Sequence, residues 1–334
     1  MIDKPLVIRA ATAARAGGPR MVIRALPGGS HTTIQGLVID AGLTLESCHG
    51  TVHFDGCSVT GPALVLTVNG LGYRFGATTI VGCAHVSFLG CGVTGQDPLT
   101  VGCYVASSSA SFTGCTLTGS SSWGGGQYTV PGSCGLYAED SLICVRGCTI
   151  IGGGDGLMYS CGFPIPIPGP PLFVATNCEV RISGVSPIRF VPGSTIRSVW
   201  MGVTQGRVLY DPRAAPDPYQ ITGNTTWVAT TLAFVTVAQT SSSLDFTVQA
   251  TQGDTSQLFV SLPAPPIDLG GLGLSWLDPA TMTPLAARVH TNAGWTHSIP
   301  IQAPLPAGLP ITAQAAVLHN GAVTLSEAAT FVLR

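Results

Sequence analysis

Between residues 50 and 185 apolar and polar positions alternate in short bursts, and the bursts repeat. VHFDGCSVTG (52–61), VSFLGCGVTG (86–95), ASFTGCTLTG (110–119) and ICVRGCTIIG (143–152) align closely, and FVATNCEVRISG (173–184) is a looser copy. In each close copy an apolar pair stands two positions apart: Val52/Phe54, Val86/Phe88, Ala110/Phe112 and Ile143/Val145. The positions between them vary: His53, Ser87, Ser111 and Cys144. This period of two predicts a short strand with one buried face. Gly56, Gly90, Gly114 and Gly147 follow, where glycine permits a bend at low steric cost. A cysteine comes next: Cys57, Cys91, Cys115, Cys148, and Cys178 in the looser copy. Alternation resumes at Val59, Val93, Leu117 and Ile150, and a glycine ends each copy. Each repeat therefore predicts strand, bend, strand and turn.

The cysteines are 34, 24, 33 and 30 residues apart. The differences fall between copies, in turn-rich insertions at 120–133 and 162–171. No helical period of 3.6 appears between residues 40 and 200, so no crossover helix is expected. Stacked coils place equal positions about 4.8 Å apart, one strand spacing. On this pattern the chain resembles the right-handed parallel β-helix repeat superfamily, which includes pectate-lyase-like proteins. The resemblance covers roughly residues 5–200. It implies a right-handed parallel β-helix, and so an all-β fold over this part of the chain, and it implies nothing about chemistry. The first coil has no capping helix before Pro5. A bare solenoid end exposes strand edges and core, so the expectation is either that the chain is a fragment or that another part of the protein or another subunit covers this end.

From about residue 224 the repeat gives way to alternating segments at 231–239, 243–251, 256–264, 272–278, 286–292, 295–301, 309–319 and 322–334. Turn signals such as Asp278-Pro279 and Asn320-Gly321 separate them, the pattern of a β-sandwich. The expected domains are 1–223, parallel β-helix, and 224–334, β-sandwich. The ending GLPITAQAAVLHNGAVTLSEAATFVLR is similar to C-terminal domains of secreted proteins from planctomycete- or myxobacterium-like bacteria. That resemblance implies export and a surface role, in an extracellular or cell-surface setting, although no secretory signal is visible in MIDKPLVIRA.

Composition narrows the possible partners. Only 9% of residues are charged and the net charge is −2, so no basic footprint argues for nucleic acid. No apolar run reaches the roughly 18 residues of a membrane span. All 11 cysteines lie between Cys48 and Cys178. No CxxC pair is present, so the ladder is not expected to hold metal. Buried thiols and disulfides both fit it. No cofactor is expected.

For chemistry, one dense ionisable group stands out, with Glu139, Asp140, Asp155, Arg146 and Arg181 as candidate catalytic residues. Members of the resembled superfamily that cleave polysaccharides carry a basic residue with acidic partners, or two carboxylates at glycosidase spacing. Their Asn-Thr-Asp, Asp-Asp and Gly-His-Gly motifs are absent. The simpler reading is solvated ion pairs. Trp123, Tyr128, Tyr137 and Tyr159 lie on or beside the insertions and are candidates for sugar stacking, with loop packing as the plainer reading. His290 and His297 straddle a turn and are expected to face solvent. The leading expectation is a non-enzymatic structural or adhesive protein, with further copies of itself as partner and end-to-end assembly through the first coil. The alternatives are a carbohydrate-binding protein and a polysaccharide lyase or glycoside hydrolase. Function is expected where copies differ, in the outward column Asp55, Leu89, Thr113, Arg146 and Thr176.

Overall fold

The computed structural model describes residues 6–10, 15–16, 19–62, 65–68, 71–74, 76–96, 100–120, 133–153, 156–160, 163–167, 172–174, 177–184, 188–189, 206–214 and 226–334. The chain winds as a parallel β-helix, each full coil giving one strand to each of three sheets. Among the described residues the front sheet has nine strands, from Leu6–Arg9 through Thr51–Asp55, His85–Leu89, Ser109–Thr113, Leu142–Arg146 and Cys178–Ser183 to Thr226–Ala229. The side sheet has seven described strands, including Ser58–Gly61, Gly92–Gly95, Thr116–Thr118 and Thr149–Ile151. These two sheets are the two strands read in every copy. The back sheet was not legible in the repeat. Its six described strands, among them Leu43–Glu46, Thr78–Val81, Cys103–Ala106 and Leu136–Glu139, come from the segments between copies.

Register follows the repeat. Phe54 pairs with Phe88, Phe88 with Phe112 and Phe112 with Val145. The rings of Phe54 and Phe88 stack with centroids 4.8 Å apart, and those of Phe88 and Phe112 at 5.3 Å. Val59, Val93, Leu117 and Ile150 form the matching column of the side sheet, and all of these residues are buried in one continuous core.

The corners explain the cysteines. Gly56, Gly90, Gly114 and Gly147 all have φ between 55° and 61°, the left-handed region in which a side chain is costly. After such a corner the next N–H falls out of the sheet ladder, and a buried N–H needs an acceptor. The Cys57 N–H donates to Cys91 Sγ at 3.4 Å, and the Cys115 N–H to Cys148 Sγ at 3.3 Å. Thiols also reach back to carbonyls, Cys91 Sγ to Phe54 O at 3.5 Å and Cys115 Sγ to Phe88 O at 3.3 Å. Cysteine here is a small core residue that both accepts and donates. The opposite corner uses the same device with hydroxyls: the Cys83 N–H donates to Ser108 Oγ and the Ser108 N–H to Ser141 Oγ.

The looser copy is displaced. Leu142 pairs with Glu179 and Arg146 with Ser183, so Gly184 (φ 69°) is the counterpart of Gly147. Cys178 therefore lies beside Ser141 at the opposite corner, and it is buried there. Ser183 takes the place in the outward column that was expected for Thr176. Thr176 lies outside the described residues.

All ten described cysteines are unbonded thiols; Cys161 lies outside the described residues. An aromatic disulfide reagent is expected to leave the nine buried thiols unmodified in the native protein and to label them once guanidinium unfolds the chain. Rapid native labelling of Cys57, Cys91 or Cys115 would overturn that.

The ninth strand of the front sheet is Thr226–Ala229, so parallel pairing persists one strand past the change of pattern at residue 224. Antiparallel sheets follow. Phe234–Gln239, Ser243–Gln249 and Gly294–Pro300 form a three-stranded sheet. It faces a five-stranded sheet of Thr255–Ser261, Thr283–Val289, Pro310–His319, Ala322–Leu325 and Ala329–Val332. Val235, Phe246, Val248, Leu258, Ala315 and Phe331 fill the space between. A hairpin, Pro263–Asp268 with Leu274–Leu277, completes the domain.

The sandwich lies along the front sheet of the helix. Leu89, an outward residue of that sheet, packs into the core of the sandwich. Arg334 reaches Asp55 at 2.7 Å, and Arg181 reaches Glu327 at 3.0 Å. Phe234 sits beneath the guanidinium groups of both Arg146 and Arg213, 5.7 and 5.6 Å from its ring centre.

Candidate functional site

This docking redistributes the candidate residues. Arg146 and Arg181 project from the front sheet into the domain contact. Both terminal nitrogens of Arg146 donate to carbonyls of the sandwich, those of Val235 and Ala328. Burial pushes its pKa down, against the pull of Glu327. Arg181 donates to Glu179 Oε1 at 2.6 Å and to Glu327 Oε1 at 3.0 Å. Burial lowers its pKa, but Glu327 and Glu179 outweigh that and raise it overall. These two arginines join domains.

Glu139 lies elsewhere, on the outer face of the back sheet. Alternation along Leu136–Glu139 buries Leu136 and Ala138 and leaves Tyr137 and Glu139 half-buried outside. Tyr104 pairs with Tyr137 across the sheet, and their rings stack at 5.3 Å with 21° between planes. The Tyr104 hydroxyl donates to Glu139 Oε1, and the Tyr137 hydroxyl approaches Oε2 at 3.5 Å. Burial, then Glu139, raises both phenol pKa values, that of Tyr137 to about 12. Both phenols thus stay protonated donors at neutral pH. Tyr104 was missed in the sequence because it belongs to a back-sheet strand, CYVA, which the repeat pattern did not mark.

Asp140 is a corner residue. Its φ is 45°, a conformation that aspartate tolerates better than most residues. It is exposed and accepts from Asn177 Nδ2 at 3.1 Å. The next rungs of the same face carry hydroxyls and a cation. Thr79 pairs with Tyr104, and Thr44 with Thr79. Arg20 bonds Thr44 Oγ1 at 2.7 Å, Thr79 Oγ1 at 3.2 Å and the Gly76 carbonyl at 2.6 Å. Burial lowers its pKa to about 10, so it remains charged at neutral pH. The back face therefore runs from a guanidinium past two hydroxyls to two stacked phenols and a carboxylate.

Asp155, Trp123 and Tyr128 lie outside the described residues. Tyr159 falls within the antiparallel hairpin Gly156–Ser160 and Phe163–Ile167. His290 is a correction: it is buried at 1% exposure. Its Nε2 lies 2.8 Å from Ser256 Oγ and accepts from Trp295 Nε1 at 3.0 Å. Strand Thr283–Val289 ends beside Thr255–Ser261, and the turn tucks the imidazole against Ser256 instead of turning it out. His297 is half-buried. The outward column also turns inward to the sandwich: Asp55 and Arg146 are buried, and Leu89 joins the core of the second domain.

Among the described residues no group of three or more His, Cys, Asp or Glu side chains could hold a metal ion. No described helix is long and apolar enough to cross a membrane.

No family model and no curated protein matches the chain. Among solved structures it shows similarity to the chitinase ChiW of Paenibacillus sp. str. FPU-7, described as a novel type of bacterial cell-surface-expressed multi-modular enzyme machinery. The identity is 11%, the TM-score is 0.18, and the match covers 98% of this chain and 23% of that one. The chain thus spans less than a quarter of that protein's length, and a likeness of this grade carries no argument.

Proposed function

We propose that the protein is a non-enzymatic structural and adhesive protein that holds polysaccharide along the back face of its β-helix. One observation carries this reading: the stacked Tyr104–Tyr137 pair with Glu139 stands on the outer face of the back sheet, while Arg146 and Arg181 are engaged in joining the domains. The two rings stack on each other, and the half-buried flank of the pair is the apolar surface offered to the C–H groups of sugars. A carboxylate whose acceptors are partly engaged can still receive sugar hydroxyls in charge-assisted bonds. Hydrogen bonds from two phenols hold Glu139 in place before any ligand arrives, which lowers the ordering cost of binding. The guanidinium of Arg20, bonded to the buried hydroxyls of Thr44 and Thr79, adds a cation to the same face. The reading takes the setting as extracellular or cell-surface, from the similarity of residues 308–334 to the ends of secreted bacterial proteins.

Binding to soluble and insoluble polysaccharides, neutral and anionic, tests the proposal. Tyr104→Ala and Tyr137→Ala are each expected to weaken binding about tenfold, the equivalent of about 1.4 kcal/mol. A double variant that binds as well as wild type would refute the site. Release of reducing ends or unsaturated sugars by wild type, abolished by Glu139→Gln, would refute the non-enzymatic reading.

A further inference from the structure

Three histidines climb the outer face of the front sheet beneath the sandwich. His31 and His85 both pair with Thr51, and His53 lies beside them in the middle strand. His53 is fully buried and His85 is 1% exposed. Each has a ring nitrogen without a hydrogen-bond partner, Nε2 of His53 and Nδ1 of His85. The other nitrogen of His53, Nδ1, lies 2.5 Å from Ser87 Oγ. The two rings meet edge to face at 6.1 Å, and His85 lies 4.9 Å from the ring of Trp276, on the hairpin of the sandwich. That hairpin rests on the strands Thr51–Asp55 and His85–Leu89. We propose that this histidine ladder is an acid-sensitive latch, which holds the sandwich on the helix at neutral pH and releases it when the imidazoles take up protons.

The charges around the ladder favour this direction. Within the front sheet the nearest carboxylate is Asp55, which is already held by Arg334 and by Gln35 Nε2 at 3.1 Å. From the sandwich, Asp278 acts on His31 alone. Asp268, at the far end of the hairpin strand, receives the Gly270 N–H at 2.8 Å. Glu327 belongs to the arginine cluster, three strands further along the sheet. Among the described residues no carboxylate therefore stands ready to pair with a protonated His53 or His85. A cation at His85 would be buried against Trp276 and one at His53 against the ring of His85, and a buried charge with no carboxylate partner is strongly disfavoured.

Burial pushes His85 down to about 4 and, with the neighbouring imidazoles, His53 well below the usual histidine range. The sign follows from linkage. An undocked state frees both imidazoles to titrate near 6.5, so it binds more protons than the docked state between pH 6.5 and about 4. Docking is thus at full strength above pH 6.5 and is lost progressively below it. Opening would uncover Leu89, His53 and His85 on the helix and Trp276 on the sandwich, a partly apolar surface absent at neutral pH.

The test is small-angle scattering and tryptophan fluorescence of the full chain from pH 7.5 to 4, with circular dichroism to follow the strands. The radius of gyration is expected to rise and Trp276 emission to shift red below pH 6, while the strand signal persists. The double variant His53→Gln/His85→Phe keeps bulk and ring contact but removes both titrations, and it is expected to stay closed to at least one pH unit lower. Hydrogen–deuterium exchange at histidine C2 in the wild type gives each imidazole's titration directly and does not depend on the variant folding. His53 and His85 titrating near 6.5 in the closed protein would overturn the latch. So would a constant radius of gyration down to pH 4. Opening at the same pH in the double variant would assign release to Asp55 and Glu327, and would equally overturn it.

Discussion

Phe88→Ala is expected to cost about 3–5 kcal/mol of stability, the range for deleting a large buried aromatic side chain. The magnitude follows from position. Phe88 is 1% exposed and is the middle ring of a three-ring column, with Phe54 at 4.8 Å on one side and Phe112 at 5.3 Å on the other. Its removal opens a void and breaks both stacking contacts, each contributing about 0.5–1.5 kcal/mol beyond area burial. A solenoid couples each coil only to its neighbours, so a gap in a central coil weakens two interfaces. Phe88→Leu retains most of the volume but loses both stacking contacts, and it is expected to cost about 1–3 kcal/mol, less than Phe88→Ala. Urea unfolding followed by circular dichroism measures both variants. A loss below 1 kcal/mol for Phe88→Ala would mean that the column is not what holds adjacent coils together.

The same strand shows how far sequence reaches. Phe88 was readable as core because its neighbours at two-residue spacing are apolar in every copy, and Gly90 was readable as a corner because its backbone needs φ near 58°. The cysteine could be placed but not explained. Its role depends on a hydrogen bond to the coil above, and register between coils is a property of stacking that no single repeat contains. The back sheet was harder still. Its strands are short, their inward positions include Thr78 and Cys103 beside Leu43 and Leu136, and the apolar alternation is correspondingly blurred. Tyr104 went unnoticed for that reason.

The outward residues of the front sheet mark a different limit. Periodicity shows that His53, Ser87 and Arg146 point away from the helix core. It does not show whether anything covers them. A polar outward side chain in a solenoid normally meets water, so ion pairing in solvent was the natural expectation for Arg146 and Arg181. The sandwich turns that face into a second interior. Polar residues that would be unremarkable in water then become buried groups in need of partners. Arg146 finds two backbone carbonyls, and its Nε finds none. His290 shows the same limit within the sandwich, where a turn read as solvent-facing packs against Ser256 and Trp295.

Because the domain contact is built from charges in low dielectric, its most sensitive point is the shared acid. Glu327 is 4% exposed and faces Arg181 at 3.0 Å, and its charge also acts on the buried guanidinium of Arg146. Its backbone is fixed independently, with its N–H on Ala233 O at 2.7 Å and its carbonyl receiving the Val235 N–H at 3.1 Å. Replacing the side chain should therefore leave the chain path intact and remove the negative charge alone. Glu327→Ala is expected to cost about 3–5 kcal/mol, because breaking one side of a buried pair strands the other. Arg181 keeps Glu179 as a partner, which places the value towards the lower end. Arg181→Met/Glu327→Met, which removes both charges and keeps bulk, is expected to be more stable than either single variant. The loss should appear at the domain contact rather than in the helix. Limited proteolysis between Thr226 and Phe234 is expected to accelerate in Glu327→Ala and not in Phe88→Leu. If Glu327→Ala unfolds at the wild-type urea concentration and is cleaved at the wild-type rate, the ion pair does not hold the sandwich to the helix, and docking must rest on Leu89, Phe234 and the histidine face.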